Sequence, residues 1–539
     1  MPNLPPGESL TQILTLPEVP GQQEERYHDI PFWCVTVLAC LVSFASFLYF
    51  FRQGTTLAYN DAISHMEIAR RVIDSPVAGP TQLGSVWLPM SHILMLPLIW
   101  SNTLYFDGIA GSAVSMLAYV CANALLYKII RDLTDSWVAA IAGTLVFMAN
   151  PNILYMQSTP MTELPLFASV LGMVYGLQRW IREVDNYNYL IGAGIAVIIG
   201  TLTRYEAWVL WAVTIPIVPF ILWRKGASST RIGGVTFLYG LLAGPGILAW
   251  FVWNGVFFGN PIAFQVGKYA KPSLWVGSAD KAVGHWSLAL QTYWYAMVDD
   301  LTLPVVVLMF VGIAVVLVMY RRLVFLPALA LLFTFPFFVY AIESGQRPLH
   351  VVQISGSLYN VRFGLLMLLP AAIFTGCIVG QAASRQAYRL TLTTLTATYV
   401  VTLSLYIVLQ GYLLPASIAT LSEPLTTQRN TPTTVATSNA ATFLHAHYTG
   451  GLVLAQFFGN EELLFQARIT PGVDVYEGSN RLWTAALADP VGQHIEWVVM
   501  HTSAGTNDAV NALAHSREIS ASYKLVYRND QYSLYRRSP

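Results

Sequence analysis

The amino-acid sequence predicts an all-α polytopic membrane protein of about eleven transmembrane helices, with outer interfacial helices and a small C-terminal α/β domain. Composition predicts the membrane part: of the 539 residues, 55% are hydrophobic and only 11% are charged. Because soluble domains carry about 25% charged residues, lipid must be the main solvent of this chain. A change of character after Leu414 predicts the C-terminal domain, since 18 of the 58 charged residues follow it.

The charge balance limits the class of partner. The chain has 29 Lys and Arg residues against 29 Asp and Glu residues, and therefore no net charge with neutral histidines. A nucleic-acid-binding protein needs a basic excess, which is missing here. The predicted partners are therefore the lipid bilayer and a substrate at its surface, and no nucleic acid.

The membrane domain is predicted to cover residues 30–414, after a polar and proline-rich cytoplasmic tail at 1–29. Apolar runs that fit the thickness of a bilayer are spaced along it. They lie at about 31–51, 109–131, 137–152, 163–181, 189–203, 207–223, 234–257, 301–320, 323–342, 361–381 and 390–414.

Basic residues between these runs predict the orientation. With the N-terminus inside, every short inner connection is basic, as the positive-inside rule requires. The basic residues are Lys128, Arg131, Arg179, Arg182, Arg224, Lys225, Arg231, Arg321, Arg322, Arg385 and Arg389. We therefore predict a multi-pass plasma-membrane protein with a cytoplasmic N-terminus and an extracytoplasmic C-terminal domain. The apolar segment Trp87–Trp100 contains Pro89 and Pro97, and we interpret it as an outer interfacial or re-entrant helix.

The C-terminal domain is predicted over residues 415–539. It opens with a linker rich in Ser, Thr and Pro at 415–437, after which short β-like runs alternate with helical stretches. This alternation is typical of a small α/β domain. The β-like runs are Gly451–Phe457, Val473–Tyr476, Ile495–Met500, Tyr523–Tyr527 and Gln531–Tyr535, and the helical stretches lie near 436–447, 480–488 and 507–515.

The first group of candidate site residues follows the first span. Tyr59 and Asp61 begin an amphipathic stretch that also carries His65. Such a helix lies at the bilayer surface with its polar face toward water. Asp61 can simply cap that helix, or it can serve as a general base or hold a metal ion.

Carboxylates and arginines recur at two further outer turns. Glu163 stands at the start of the fourth apolar run, and Arg204 and Glu206 stand near the start of the sixth. Glu163 can merely favour the helix dipole, and Arg204 and Glu206 can merely pair with each other. The alternative is that all three belong to a site.

The last candidate group enters the tenth apolar run and consists of Tyr359, Asn360 and Arg362. Arg362 can extend to the lipid headgroups, or its guanidinium can hold a phosphate. Weaker candidates, which can equally be ordinary loop residues, are His92, Lys268, Lys271, Arg347 and His350. Together the candidates favour chemistry on an anionic, lipid-linked substrate.

The order of these motifs resembles the GT-C superfamily of polytopic glycosyltransferases, and most closely its family 39-like members. Protein O-mannosyltransferases and the lipid A aminoarabinose transferase are relatives. The resemblance covers about residues 30–415. The motifs that carry it are Tyr59-Asn60-Asp61, Trp87-Leu88-Pro89-Met90, Gly108–Tyr127, Met161-Thr162-Glu163, Leu202–Trp208, Phe258-Gly259-Asn260-Pro261 and Tyr359–Phe363 through Pro370.

The resemblance implies a function and roles for the residues. A sugar would pass from a polyprenyl-phosphate donor to an acceptor hydroxyl of a glycan, lipid or protein at the outer face, with inversion. Asp61 would be the catalytic base. Glu163 would orient a substrate or hold a divalent cation, and Arg362 and Arg204 would stabilise the leaving phosphate.

Two departures from the family leave metal binding and the phosphate contacts open. Ala62 follows Asp61 where O-mannosyltransferases have a second acid, and Val86-Trp87 stands where relatives have His or Lys. His65, His92 or Arg204 can substitute. No cofactor follows with certainty, although Asp61, Glu163 and His65 are possible ligands for a divalent cation.

Two other functions remain as alternatives to a glycosyltransferase. A flippase or transporter of lipid-linked sugars would need charged residues within its spans and paired interrupted helices. A membrane scaffold with an extracytoplasmic binding domain would not need Asp61 or Glu163. The polar candidates cluster instead at the outer ends of the spans, which favours the enzyme.

Overall fold

The computed structural model of the chain describes residues 29–274, 276–277, 280–384, 389–502 and 508–538. The predicted tail up to residue 28 and the basic connection at Arg385 lie outside the described residues.

The described part of the membrane domain consists of α-helices with short 3₁₀ and π turns between them. In chain order the helices are α1 (Ile30–Arg52), α2 (Asn60–Arg71), α3 (Met90–Ile99), α4 (Asn102–Phe106), α5 (Ile109–Thr134), α6 (Trp137–Met148), α7 (Pro151–Met156), α8 (Glu163–Arg182), α9 (Tyr187–Thr201), α10 (Glu206–Thr214), α11 (Ile217–Arg224), α12 (Ser229–Ala243), α13 (Pro245–Phe258), α14 (Ala263–Val266), α15 (Trp286–Leu301), α16 (Leu303–Val315), α17 (Leu326–Ala330), α18 (Thr334–Glu343), α19 (Val352–Ser355), α20 (Leu368–Ser384) and α21 (Arg389–Leu413). A 3₁₀ helix at Val361–Met367 leads directly into α20.

Fewer helices qualify as membrane spans than the eleven predicted. Within the described residues, seven helical stretches are long and apolar enough to cross a membrane, or eight if α12 and α13, which meet at a 46° bend, form one span. The seven are Ile30–Arg52, Ile109–Thr134, Glu206–Arg224, Leu303–Tyr320, Leu323–Glu343, Val361–Ser384 and Leu390–Leu413. The chain is thus a multi-pass membrane protein, with a lower count of full-length apolar helices than its hydropathy predicts.

The predicted spans at 137–152, 163–181 and 189–203 account for the difference. Asn150 accepts a hydrogen bond from the Ile153 N–H and begins α7, so the first of these runs is divided and α6 has only 12 residues. Helix α9 has 15 residues, and α8 has 20 residues but carries charges at both ends. Since a full span needs about 20 predominantly apolar residues, none of the three qualifies by itself.

Contacts between loops bring the basic connections together at one end of the bundle. Arg179 at the end of α8 lies 3.3 Å from Asp132 in α5, and Lys225 after α11 donates a hydrogen bond to the Ile181 carbonyl. Asp29, before α1, accepts a hydrogen bond from Tyr127 of α5. Three of the predicted inner connections, those after α5, α8 and α11, and the start of α1 therefore lie at the same end of the bundle.

Helix α20 forms the centre of the bundle, and most of its side chains are buried. Small residues allow its neighbours to approach closely. A Cβ atom on Gly143 of α6 would lie 2.6 Å from the Ala372 carbonyl oxygen of α20, and one on Gly312 of α16 would meet the Phe374 carbonyl at 2.2 Å. Small residues at helix interfaces are the usual means of close packing in a membrane.

The segment Trp87–Trp100 forms helix α3, which is too short to cross a membrane at ten residues. Its first N–H, from Met90, bonds to the carbonyl of Leu202, and the helix packs against α2 and α5. This short helix agrees with the prediction that the segment is not a twelfth span. Its position at the outer interface stays a prediction.

The C-terminal domain has the predicted α/β character. Its five strands are β1 (Leu452–Leu454), β2 (Asp474–Val475), β3 (Ile495–His501), β4 (Tyr523–Arg528) and β5 (Tyr532–Arg537), in the spatial order β2-β1-β3-β5-β4. Strands β1, β2 and β3 run parallel, and β5 pairs antiparallel with β3 and β4. Each strand falls on one of the predicted β-like runs. The helices are α22 (Ala419–Pro424), α23 (Pro432–His447), α24 (Glu461–Gln466), α25 (Arg481–Ala488) and α26 (Arg517–Ser522).

The segment predicted as a linker is folded and largely helical. Residues 415–437 contain α22, a π turn at Leu425–Arg429 and the beginning of α23. Arg429 donates hydrogen bonds to the carbonyls of Leu57 and Ala58 at 2.6 and 2.8 Å. The segment is thus packed onto the loop that precedes α2, a contact between distant parts of the chain that composition cannot reveal.

Candidate active site

A cluster of charged side chains lies at the end of the bundle opposite to the basic connections. It joins the start of α2, the start of α8, the turn between α9 and α10, and the 3₁₀ helix before α20. Each of these positions is a helix terminus, where the chain leaves the apolar core and charged groups cost least. Six side chains form the cluster: Asp61, Glu163, Arg204, Glu206, Arg362 and Glu423.

Arg362 holds the centre of the cluster. Its Nη2 atom lies 2.5 Å from Asp61 Oδ2, its Nε atom 3.1 Å from Glu163 Oε1, and its Nη1 atom 3.6 Å from Glu423 Oε1. The side chain is only 6% exposed. It therefore points into the protein and not toward lipid headgroups, which were the alternative for this residue.

Arg204 forms a second bridge within the cluster. It donates to Glu163 at 2.8 Å and to Glu206 at 2.9 Å. Arg204 and Glu206 pair with each other, which was one of the two alternatives that the sequence left open. Glu163 contacts both Arg204 and Arg362 and so connects this pair to the rest of the cluster. Burial of carboxylates is tolerated here because each has an arginine partner.

Asp61 is the accessible carboxylate of the cluster. Its side chain is 40% exposed, whereas those of Glu163, Glu206 and Glu423 are at most 3% exposed. Tyr59, and not Asp61, occupies the N-cap position of α2, and its side chain makes no capping hydrogen bond. The Asn60 N–H, at the start of the helix, donates instead to Gln428 Oε1 at 2.8 Å. Asp61 is thus free of a capping role and directs one carboxylate oxygen at Arg362.

Tyr59 lies beneath the cluster as an apolar support. Its buried ring faces the Arg362 guanidinium at 4.8 Å, a distance that allows a cation–π interaction. Burial, followed by the neighbouring charge of Glu423, raises the pKa of the Tyr59 hydroxyl well above its usual value. The hydroxyl therefore stays protonated and does not act as a base.

Tyr359 and Asn360 shape the turn that delivers Arg362. Asn360 has a left-handed backbone with φ of 54°, and its side-chain amide donates to the Pro348 carbonyl at 3.0 Å. Tyr359 exchanges backbone hydrogen bonds with His350, and burial raises its pKa to about 12. The two residues border the site: the Asn360 side chain is hydrogen-bonded to Pro348, and the Tyr359 ring lies 5.5 Å from that of His350 between centroids.

His65 lies beside the cluster but pairs elsewhere. Its Nδ1 atom is 2.9 Å from Nε2 of His92, and its ring packs on Trp87 with centroids 4.5 Å apart. Burial, together with the charges of Arg204 and Arg362, lowers its pKa to about 3. His65 is therefore neutral, and its Nδ1 atom is already hydrogen-bonded to His92.

The arrangement offers a cation no ready-made site. Across the ranges that the structure describes, no three His, Cys, Asp or Glu side chains form a group that could hold a metal ion. Asp61 and Glu163 share the guanidinium of Arg362 as their counter-charge. A metal bound by Asp61, Glu163 and His65 stays a prediction that this geometry does not support.

The weaker candidates other than His92 have different surroundings, and of these Arg347 is the one near the cluster. Arg347 lies near the cluster, with its guanidinium 5.8 Å from the ring of Tyr205 and 5.9 Å from that of Phe363. His350 pairs with Asp280 at 2.9 Å in the neighbouring loop. Lys268 faces Tyr269, and Lys271 is exposed.

Sequence reasoning missed Glu423. The residue lies in α22, after the last membrane helix, in the segment predicted as a linker. One signal was available: Glu423 is the only acidic residue between 415 and 437. The only other charged residue in this stretch is Arg429. A lone carboxylate there is a candidate for an ion pair, and its partner in the structure is Arg362.

The comparisons with known proteins concern both sequence and fold. The sequence model of one family, described as dolichyl-phosphate-mannose-protein mannosyltransferase, matches residues 101–253. That range contains Glu163, Arg204 and Glu206 but neither Asp61 nor Arg362. A search of curated proteins by sequence finds no match.

The fold is similar to that of ArnT from Cupriavidus metallidurans. With the structure of ArnT bound to undecaprenyl phosphate, the TM-score is 0.57 at 14% identity, over 94% of this chain and 97% of that chain. With ArnT in the apo state it is 0.54 at 14% identity, over the same shares. A weaker likeness, with a TM-score of 0.47 at 12% identity, is to the Archaeoglobus fulgidus oligosaccharyltransferase in the apo form, over 89% of this chain and 70% of that chain.

The match to ArnT includes the C-terminal domain as well as the bundle, because it covers nearly the whole of both chains. The family match lies within the helices that carry half of the charged cluster. These findings confirm the resemblance that the motifs predicted: the chain is similar to the GT-C membrane glycosyltransferases of the family 39 type.

Proposed function

We propose that the protein is a membrane glycosyltransferase that moves a sugar from a polyprenyl-phosphate donor to an acceptor hydroxyl, with inversion at the anomeric carbon. The observation that carries the proposal is the pair formed by Asp61 and Arg362. An exposed carboxylate held at 2.5 Å by a buried arginine is fixed in position and still open to a substrate.

Asp61 acts as the general base in this mechanism. Arg362 binds Oδ2, and within the described residues Oδ1 has no hydrogen-bond partner. Oδ1 therefore accepts the proton of the acceptor hydroxyl as that oxygen attacks the anomeric carbon. The bond from the anomeric carbon to the phosphate oxygen breaks, and the lipid phosphate leaves with the electron pair.

In this mechanism, arginine N–H groups that are not already used by carboxylates hold the departing phosphate. Arg362 binds Glu163 through Nε and Asp61 through Nη2. Its Nη1 atom lies 3.6 Å from Glu423, which is an ion pair but too long for a hydrogen bond. Among the residues that the structure describes, Arg362 makes no further side-chain hydrogen bond. Arg347 has no carboxylate within 4.0 Å in the described part of the chain, so its charge is also available to an anion.

Glu163 is a positioning residue in this proposal. Its Oε1 atom accepts from both Arg204 and Arg362 and so fixes the distance between the two guanidinium groups. Both bonds are made by Oε1, whereas Oε2 is buried and has no hydrogen-bond partner among the described residues. Because Glu163 is only 3% exposed and Asp61 is 40% exposed, we assign Asp61 to the acceptor and Glu163 to the positioning of the arginines.

The identity of the donor rests on the relatives. ArnT, which has the same fold, binds undecaprenyl phosphate in one of its structures, and the matching family model describes transfer from dolichyl-phosphate-mannose. A carrier of this kind keeps its tail in lipid and its phosphate at the surface, where the cluster lies. The outer face of the plasma membrane fits the charge pattern of the loops.

The proposal is tested with purified protein in lipid nanodiscs and a panel of undecaprenyl-phosphate-linked hexoses and pentoses. Mass spectrometry of glycolipids and glycoproteins from cells with and without the protein identifies the acceptor. Release of undecaprenyl phosphate that requires both this acceptor and Asp61 supports the proposal. Donor translocation across vesicles without release of the carrier would instead identify a transporter.

A further inference from the structure

Glu423 belongs to the segment between the last membrane helix and the C-terminal domain, outside the region that the sequence motifs cover. Its side chain is completely buried. Its helix, α22, is itself held in place, because the Thr420 N–H and hydroxyl both donate to Asn152 Oδ1 at 3.0 Å. Asn152 in turn donates to the Asp300 carbonyl. Glu423 therefore projects from a fixed element.

The carboxylate of Glu423 closes the turn that precedes Arg362. Oε1 accepts the N–H of Asn360 at 2.8 Å, and Oε2 accepts the N–H of Val361 at 2.9 Å. These groups open the 3₁₀ helix Val361–Met367, whose own N-cap residue, Asn360, provides no side-chain cap. Glu423 thus supplies the cap from a distant part of the chain.

The same carboxylate also faces Arg362 itself. Oε1 lies 3.6 Å from Nη1, on the guanidinium edge away from the Nη2 that binds Asp61. The turn just before Arg362 and the Arg362 side chain therefore both contact one buried carboxylate. A small displacement of this turn would therefore move the Arg362 Nη2 atom away from Asp61.

A role as a mere counter-charge is the competing explanation. Asp61 and Glu163 already supply two negative charges to Arg362 at shorter distances. Neutralising the guanidinium does not require a third carboxylate with both oxygens bonded to the backbone. The double backbone contact is what a counter-charge would not need.

We propose that Glu423 is a positioning residue of the active site, which sets Arg362 against Asp61 and thereby makes the segment before the C-terminal domain part of the catalytic machinery. The inference rests on the proposed function. Glu423 touches no substrate in this scheme and acts entirely through Arg362.

The test compares Glu423→Gln with a matched control, Glu477→Gln. Glu477 in the C-terminal domain also accepts two consecutive backbone N–H groups, from Phe457 and Phe458, both at 2.8 Å. A glutamine can accept only one of the two, so both variants lose the same kind of contact. We expect Glu423→Gln to lower kcat about 10- to 100-fold, because small misplacements of reacting groups cost that much. The donor KM should change less than about threefold, and Glu477→Gln should keep wild-type kcat.

A double-mutant cycle supplies the readout that a purely structural role would not move. If Glu423 acts through Arg362, adding Glu423→Gln to Arg362→Lys should lower kcat less than about threefold further. Additive losses in the cycle would overturn the inference. So would a folded Glu423→Gln protein with more than about a third of wild-type kcat, or an equal loss in Glu477→Gln.

Glu423→Asp keeps the inference testable if the glutamine variant does not give monodisperse protein. The aspartate retains the charge but is one methylene shorter, so it cannot reach the turn and Arg362 together. A kcat loss of about tenfold or more with an unchanged melting temperature supports the inference, and wild-type kcat overturns it. Failure of the proposed function differs, because the wild-type protein would then release no undecaprenyl phosphate from any donor in the panel.

Discussion

The guanidinium of Arg362 lies 2.5 Å from the carboxylate of Asp61, although 301 residues separate them in the chain. One residue is buried and the other is 40% exposed. The pair therefore presents an oriented carboxylate to solvent, while its arginine partner remains buried in the bundle.

Asp61→Asn tests the base. Asparagine keeps the size and the hydrogen bond to Arg362 but removes the basic oxygen, so turnover should fall about 10²- to 10⁴-fold. The melting temperature should stay close to that of the wild type, because the side chain caps no helix. Asp74→Asn, at the far end of α2 and bonded to Arg70, is the control and should remain active. More than a third of wild-type turnover in Asp61→Asn would end the assignment.

Arg362→Lys tests the fork of hydrogen bonds. A lysine carries the same charge, but its donors sit on one nitrogen and cannot reproduce the planar fork in which Nη2 binds Asp61 and Nε binds Glu163. We expect a loss of about 1–3 kcal/mol, or roughly 10- to 100-fold in kcat/KM for the donor, with little change in the acceptor KM. Arg536→Lys, on a partly exposed strand of the C-terminal domain, should behave as wild type. An unchanged donor kcat/KM would show that charge alone is sufficient.

Asp474→Asn tests the attachment of the C-terminal domain to α2. The Arg71 guanidinium lies between the rings of Phe457 and Tyr476, at 3.7 and 3.9 Å from their centroids, and binds Asp474 at 2.8 Å. Removing one partner of a buried pair costs about 3–5 kcal/mol. Thermal unfolding and limited proteolysis should therefore report a loosened domain.

The control for that variant is Asp107→Asn, which removes an exposed pair with Arg468 between the same two domains. Exposed pairs contribute about 0–1 kcal/mol, so little change is expected. Equal stability losses in the two variants would contradict a special role for the Arg71 anchor.

His65→Gln tests the pH dependence of stability. Burial lowers the folded-state pKa of His65 to about 3, so the unfolded chain binds a proton below pH 6.5 that the folded protein refuses. His65 therefore destabilises the fold as the pH falls through 6.5, by about 2 kcal/mol at pH 5. The variant should lose less stability between pH 7 and pH 5 than the wild type. An equal loss of stability in the variant and the wild type over this pH range would contradict this role of His65.

Cysteine labelling tests the orientation. Residues 224–232 are predicted inside, and 258–300 and the C-terminal domain outside. In a cysteine-free background, Ser228→Cys should react only with reagents that enter the cell, and Lys271→Cys with reagents that do not. Both positions are exposed. Labelling of position 228 only from outside would reverse the topology.

Several features of this protein follow from local sequence alone. Low charge content requires lipid, and the five β-like runs match the five strands because alternation of apolar residues is a local property. Asp61, Glu163, Arg204 and Arg362 stand out for the same reason: each is a charged residue at the boundary of an apolar run. Their order also carries the family resemblance.

Tertiary structure decided what those residues do to one another. The sequence assigned Arg362 to a phosphate and Glu163 to a substrate or metal, but their partners come from helices far apart in the chain. Hydropathy could not show that Asn150 divides a run into α6 and α7. Glu423 stands out in the sequence only as the one acidic residue between 415 and 437, which does not show what it contacts. Its role depends on α22 folding back onto the turn at Asn360, and only packing in three dimensions determines that contact.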